Sequence, residues 1–143
     1  MSASKLDVVL RLTSEEEKQA ALTFQAVQRD YLRAESDLKQ ALGYRVEYAN
    51  MSEGMRPGAF ALIQLRAARS FLTQIDNLIE HQRTTLKSKH AMVENRREQW
   101  QALRAKKRSI EALVESRRRS HILGEEKKEQ KRLDDLFVST GGH

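Results

Sequence analysis

The side chains most often used for catalysis or metal binding are few and scattered in this sequence. The four histidines are His81, His90, His121 and His143, and none lies three or four positions from another. A helical metal site needs that spacing because it places two imidazoles on one face of a helix. The chain has no cysteine, which excludes disulfides, thiolate metal ligands and cysteine nucleophiles. We therefore predict no metal site and expect the histidines to lie on the surface.

Adjacent carboxylates, such as those of Glu125–Glu126 and Asp134–Asp135, are the remaining candidates for acid–base chemistry. Carboxylates on an exposed helix are solvated and are not positioned for acid–base work. The sequence contains no glycine-rich phosphate loop, nucleophile elbow or zinc-protease motif. We predict that the chain is not an enzyme, has no catalytic residue, uses no cofactor and takes no small-molecule substrate.

Basic residues are concentrated in the second half of the chain. Between Arg83 and Arg132 there are 16 basic and 7 acidic residues, a net charge of +9, whereas the whole chain carries +6. The densest positions are Arg104, Lys106, Lys107, Arg108, Arg117, Arg118 and Arg119. Such charge suits phosphates or an acidic protein, but Trp100 is the one aromatic residue in this stretch, so no stacking platform for bases is visible. An acidic protein partner is favoured over nucleic acid, and a solvated helix face with pairs such as Glu115–Arg119 is the alternative.

The composition favours one all-helical domain. The 143 residues are rich in good helix formers, with 6% aromatic residues and one proline, which argues against a β-sandwich or barrel. Gly54, Pro57 and Gly58 fall within five positions and form the strongest interruption of the helical pattern. We predict a single domain over 1–143. Its expected parts are a first helix over about 6–50, a connector over 51–58, a second helix over about 59–136 and a disordered tail over 137–143.

The apolar residues of both helices recur in alternating steps of three and four, which is the seam of a coiled coil. In the second helix, sixteen such positions run from Leu65 to Arg117, and eleven of them are apolar. The first helix shows the same steps from Leu6 to Tyr48. Polar residues interrupt both seams. They include Glu17 and Arg45 in the first helix and Lys89 and Arg96 in the second.

A short connector between two helices favours an antiparallel hairpin, because it cannot return one helix to the start of the other. The predicted fold is therefore all-α, with two long helices forming an antiparallel coiled-coil hairpin and the second helix longer than the first. We expect the second helix to extend beyond the first, leaving residues after about Leu103 partly unpaired. The apolar cluster Val8-Val9-Leu10 is too short for a signal peptide or membrane span, so we expect an intracellular protein.

A second group of residues, most of them apolar, widens the apolar stripe beyond the seam. Tyr44 and Tyr48 are one turn apart near the end of the first helix, and Phe71, Ile75, Leu78 and Gln82 follow helical spacing near the start of the second. The hairpin would bring both groups to the same end. An exposed apolar patch with a polar rim usually marks a protein interaction site, and ordinary packing at the end of the hairpin is the alternative.

The order and spacing of several short motifs resemble those of the flagellar export protein FliJ family over roughly Leu6 to Phe137. The motifs are Leu38-x-x-x-Leu42-x-Tyr44-Arg45-x-Glu47-Tyr48, Phe71-Leu72-x-x-Ile75, Gln82, Trp100, Lys106-Lys107-x-x-Ile110-Glu111-x-Leu113 and Glu129-Gln130-Lys131-Arg132-Leu133-Asp134-Asp135. The resemblance implies a two-helix antiparallel coiled coil similar to the stalk subunit of rotary ATPases. It also implies a cytoplasmic protein that associates peripherally with the inner membrane at the flagellar type III export apparatus.

The same resemblance implies the partners. The stalk of this family meets the hexameric export ATPase FliI, promotes its assembly and activity, contacts the export gate protein FlhA and assists export chaperones. The gate-contact surface of the family corresponds here to Tyr44, Tyr48, Phe71, Ile75, Leu78 and Gln82. We expect the end carrying both termini to enter the ATPase ring, where the basic residues Arg104, Lys106, Lys107, Arg108, Arg117, Arg118 and Arg119 would contact it.

Three other interpretations are compatible with the sequence. The nearest is the equivalent stalk of a virulence injectisome, which shares the shape and weak sequence similarity. A basic helical hairpin that binds nucleic acid would explain the charge. A coiled-coil scaffold that forms homodimers through the overhanging part of the second helix is the third.

Overall fold

The protein is built from two long α-helices. The computed structural model describes residues 3–54 and 58–141, apart from the side chains of residues 3 and 59–61. Helix α1 spans Ala3–Glu53 and has 51 residues, and helix α2 spans Ala59–Gly141 and has 83 residues. The part of the chain so described contains no strand. The predicted all-α class, with two helices and a longer second one, is confirmed.

The helices extend further than the sequence pattern indicates. Helix α1 begins at Ala3 and ends at Glu53, a few residues beyond each predicted bound. The tail predicted to be disordered over 137–143 is helical as far as Gly141. Its last turns contain no proline, and the Thr140 hydroxyl donates to the carbonyl of Leu136 at 2.9 Å, which adds to the helical hydrogen bonding. Pro57 of the predicted connector lies outside the described residues.

The helix pair divides into two compact units. Unit 1 joins the start of α1, as far as Ala20, to α2 from Trp100 onward, and unit 2 comprises Ala21–Gln99. In unit 2, Asp30 pairs with Lys89 and Arg45 pairs with Asp76, so the residue numbers rise along α1 as they fall along α2. In unit 1, Glu17 accepts a hydrogen bond from Trp100. The two helices therefore run antiparallel within unit 2, as the short connector predicts.

The predicted seam forms the interior of both units. All its positions are buried or half-buried except Arg45 and Arg117. The core of unit 2 contains Ala41, Ile75 and Ile79, with Leu38 packed against them. This agreement follows from the 3.5-residue period of the seam. In a coiled coil of two helices, the seam is where apolar side chains of the two helices are buried from water.

Some polar seam residues have partners on the other helix. In unit 1, Trp100 Nε1 donates to Glu17 Oε1 at 3.1 Å. In unit 2, Lys89 Nζ lies 3.3 Å from Asp30 Oδ2. A slip of one helix along the other would break these contacts, so they help to specify the register.

The part of α2 without an α1 partner begins later than predicted. In unit 1, Lys107, Ile110 and Val114 are still half-buried, although the sequence pattern indicates partial unpairing after about Leu103. The reason is the register, which places Leu6 and Val114 on the same groove. Within the described residues, α1 covers α2 as far as about Val114, and Arg117 is exposed. None of the helices in the described ranges is both long and apolar enough to cross a membrane.

Two glycines inside the helices allow a direct test of the fold. A Cβ atom added at Gly43 or Gly124 would meet no neighbouring atom within 4 Å. Replacing either glycine by alanine removes conformational freedom from the unfolded chain, and we expect each substitution to stabilise the protein by about 0.5–1 kcal/mol. Urea denaturation followed by far-UV circular dichroism measures this. A loss of stability would mean that the backbone at that position is not helical.

Candidate functional site: an apolar groove and a basic stretch

An apolar groove of about 450 Å³ lies between α1 and α2 in unit 2. Its lining residues are Ala41, Tyr44, Glu47, Tyr48, Met51, Phe71, Ile75 and Leu78. Glu47 is the one charged residue among them. A concave, almost uncharged surface of this size is suited to holding large apolar side chains of a partner.

The groove is shaped by aromatic side chains that flank the seam. The rings of Tyr48 and Phe71 contact each other with centroids 4.5 Å apart and planes tilted by 46°. The Tyr44 hydroxyl accepts a hydrogen bond from Gln40 Nε2 at 2.9 Å, which orients its ring. Tyr44, Phe71 and Leu78 keep 54%, 45% and 48% of their surface exposed. Side chains this large and this exposed contribute little to the core, so they are available to a partner.

The structure brings together five of the six residues predicted for gate contact, but they do not play the same part. Tyr44, Tyr48, Phe71 and Leu78 form the accessible walls of the groove. Ile75 also lines it, yet only 7% of its surface is exposed, and it belongs to the core of unit 2. Its primary contribution is therefore to support the groove from below.

The sixth predicted residue, Gln82, does not line the apolar groove. It lies in a smaller hollow of about 180 Å³ with Asp30, Thr85 and Lys89 among its neighbours. Its Oε1 atom is buried and accepts no hydrogen bond from the residues that the structure describes. Gln82 thus continues the helical spacing of Leu78 along α2, but its surroundings are polar and not apolar.

Three groove residues are not among those predicted for gate contact: Ala41, Glu47 and Met51. The seven-residue repeat carries the signal for two of them. Ala41 lies seven residues before Tyr48, and Met51 lies seven residues after Tyr44. Side chains seven apart share a face of a coiled-coil helix, so the heptad spacing alone would have placed both at the groove.

One ion pair joins the two helices at positions adjacent to groove residues. Arg45 Nε lies 2.5 Å from Asp76 Oδ1. This hydrogen bond, together with the negative charge of Asp76, raises the pKa of Arg45 above its ordinary value. The pair explains why Arg45, although it falls on a seam position, is exposed: its guanidinium turns outward to reach the carboxylate.

The basic residues predicted to contact the ATPase ring all lie on α2 in unit 1. Lys107 is half-buried at the seam, and the others are exposed. The Arg104 guanidinium lies 5.4 Å from the centre of the Trp100 ring, a cation–π contact. Arg119 Nε lies 3.3 Å from a carboxylate oxygen of Glu115, and Arg118 Nε lies 4.0 Å from the other.

Several of these cations have no counter-ion. Among the residues described, Lys106, Arg108 and Arg117 form no ion pair within 4.0 Å. No group of three or more His, Asp or Glu side chains in that part of the chain is arranged to hold a metal ion. Uncompensated positive charge on one helix favours an anionic partner and raises its rate of association.

A comparison with protein families matches residues 1–140 to the family described as flagellar FliJ protein. The chain belongs to the FliJ family. It is therefore a component of the flagellar export apparatus, and the resemblance expected from the sequence motifs is confirmed over nearly the whole chain. A search among curated proteins finds no match.

The different burial of two groove residues leads to a prediction about stability. Ile75→Ala removes buried methyl groups from the core of unit 2 and should cost about 2 kcal/mol or more of unfolding free energy. Tyr44→Ala removes a side chain that is more than half exposed and should change it by no more than about 0.5 kcal/mol. Urea denaturation of both variants decides this. Equal losses would show that Tyr44 is a core residue and not a free wall of the groove.

Proposed function

We propose that this FliJ-family chain is a non-enzymatic stalk of the flagellar type III export apparatus. Its apolar groove docks the export gate protein FlhA. Its basic stretch, meaning the seven Arg and Lys residues between Arg104 and Arg119, contacts the hexameric export ATPase FliI and promotes assembly and activity of the ring. The observation that carries the proposal is the groove itself. Four accessible apolar or aromatic side chains line it, at positions where the family resemblance implies gate contact.

The groove has the character of a protein-binding site rather than of a small-molecule pocket. Tyr44, Phe71 and Leu78 are about half exposed, and the buried Ile75 beneath them is fixed in the core. Aromatic anchors on a rigid floor lose little side-chain entropy when a partner covers them. An apolar segment of the gate protein is the occupant that this surface favours.

The basic stretch supports contact with an ATPase ring through charge. Lys106, Arg108 and Arg117 lack a carboxylate partner among the described residues, so an acidic surface of the ring would gain ion pairs without breaking existing ones. Export chaperones are further proposed partners. The proposed location is cytoplasmic, with peripheral association at the inner membrane through the export apparatus.

The competing interpretations fit the observations less well. The matched family is described as flagellar, which favours the flagellar stalk over its injectisome counterpart. For nucleic acid, Trp100 would have to stack on a base, but its Nε1 donates to Glu17 and Arg104 lies over its ring. Base stacking would therefore have to displace contacts that Trp100 already makes.

Gate docking predicts a selective loss of affinity when the groove walls are shortened. Phe71→Ala and Leu78→Ala should each weaken binding to the purified cytoplasmic part of FlhA by about tenfold, the typical cost of removing an interface anchor. Leu32→Ala is the matched control, because Leu32 also lies in unit 2 and is 55% exposed, but it does not line the groove. Isothermal titration calorimetry gives the affinities, and circular dichroism checks that helicity is unchanged.

The comparison with Leu32→Ala also defines the result that would contradict gate docking. If FlhA binds the unsubstituted chain and both groove variants bind as tightly as Leu32→Ala, the groove is not the gate site. If the groove variants lose helicity, their side chains belong to the core and the proposed docking surface is wrong.

A further inference from the structure

A second groove, which we call the terminal groove, lies in unit 1 beside the first turn of α1. Its volume is about 350 Å³, and its lining residues are Leu6, Asp7, Val114, Arg117, Arg118 and His121. Leu6 is 3% exposed and Val114 is half-buried, so both form an apolar floor. Arginine and histidine side chains surround that floor.

The terminal groove exists because the seam changes character where α1 begins. Val114 is the last apolar seam residue of α2; the seam ends at Arg117, and one further step of four residues gives His121. Helix α1 starts at Ala3, which leaves these two positions without a further turn of α1 to cover them in the described chain. Arg117 is exposed, although every earlier seam position described on α2 is buried or half-buried.

The charge around the terminal groove is unbalanced. Arg117 has no carboxylate within 4.0 Å among the described residues, and Arg118 has one contact, a carboxylate oxygen of Glu115 at 4.0 Å. That carboxylate also accepts the closer Arg119 at 3.3 Å. Asp7 supplies the one negative charge in the lining. A ligand that brings carboxylates would therefore add ion pairs to a site with excess positive charge.

We propose that the terminal groove binds an acidic protein segment that presents one large apolar side chain flanked by carboxylates. The apolar side chain packs on Leu6 and Val114, and a carboxylate pairs with Arg117. A sugar–phosphate backbone could meet the arginines, but it has no group for the apolar floor, and the lining offers a base no aromatic ring larger than the imidazole of His121. The proposal rests on the proposed function, because it takes the export ATPase as the protein that supplies this segment.

Two charge reversals separate the terminal groove from general electrostatics. Arg117→Glu places a negative charge at the groove, whereas Lys18→Glu makes the same change of charge at an exposed residue of α1 in the same unit, which neither lines the groove nor belongs to the residues predicted to contact the ring. We expect Arg117→Glu to weaken binding of the full chain to the purified export ATPase by about tenfold or more, and Lys18→Glu to change it by about twofold at most. Val114→Phe, which fills the groove from within, should weaken binding without loss of helicity.

The outcomes distinguish this proposal from the proposed function. If the ATPase binds the unsubstituted chain and Arg117→Glu equally well, the terminal groove is not a contact site, although the stalk role stands. Equal losses from Arg117→Glu and Lys18→Glu would also overturn it, since net charge alone would then explain binding. If the unsubstituted chain does not bind the ATPase, the stalk role fails and this proposal fails with it.

A parallel titration uses fluorescent mixed-sequence duplex DNA near physiological salt. Binding that Arg117→Glu abolishes would reassign the terminal groove to phosphate recognition and overturn the proposal. Absence of DNA binding, together with the selective loss of ATPase binding, supports an acidic protein segment as the occupant.

Discussion

The seam between α1 and α2 is the interaction on which the other features of this protein depend. A pair of helices has no second layer, so the alternating seam positions must supply nearly all the apolar burial that keeps each unit folded. The core is correspondingly small: in unit 2 its buried cluster consists of Ala41, Ile75 and Ile79. Among the residues whose burial the structure describes, every apolar residue beside the seam remains at least partly open to solvent. On such a scaffold, an interaction surface forms where exposed positions next to the seam are occupied by large apolar residues.

The register of the seam decides what those surfaces contain. In unit 2, the Lys89–Asp30 and Arg45–Asp76 pairs would be lost if one helix slipped along the other. The register that they support brings Tyr48 onto Phe71 and thereby builds the aromatic wall of the apolar groove. In unit 1, the same kind of constraint is the hydrogen bond from Trp100 to Glu17. Polar seam residues thus cost some apolar burial but specify which side chains meet.

The sequence predicts the seam well because burial in a coiled coil depends on a short period that can be counted. It also predicts that Tyr44, Phe71 and Leu78 are accessible, because they lie beside the seam positions and not on them. It does not separate Ile75 from these residues by function, because one helical stripe contains both core and wall positions. Gln82 marks the point where the apolar stripe ends. Its neighbours on α1 are mostly polar, and they can be identified only when the register of the two helices is known.

The helix ends were harder to predict for a related reason. The seam pattern weakens after Val114, but a helix without a partner needs no seam to continue. Helix α2 extends to Gly141 because its residues favour helix and no proline interrupts them. The point where α1 stops covering α2 depends on the register of unit 1, which is set by contacts between residues distant in sequence.

The central claim is that binding by α2 residues of unit 1 activates the export ATPase without chemistry by this chain. The most direct test measures ATP turnover by purified FliI, at a concentration where ring assembly limits the rate, while the full chain is titrated in. We expect the unsubstituted chain and Leu78→Ala to stimulate turnover. A double variant with Lys106→Glu and Arg108→Glu should need about tenfold more protein for the same effect. No stimulation by the folded, helical chain would contradict the account, and so would equal stimulation by the double variant.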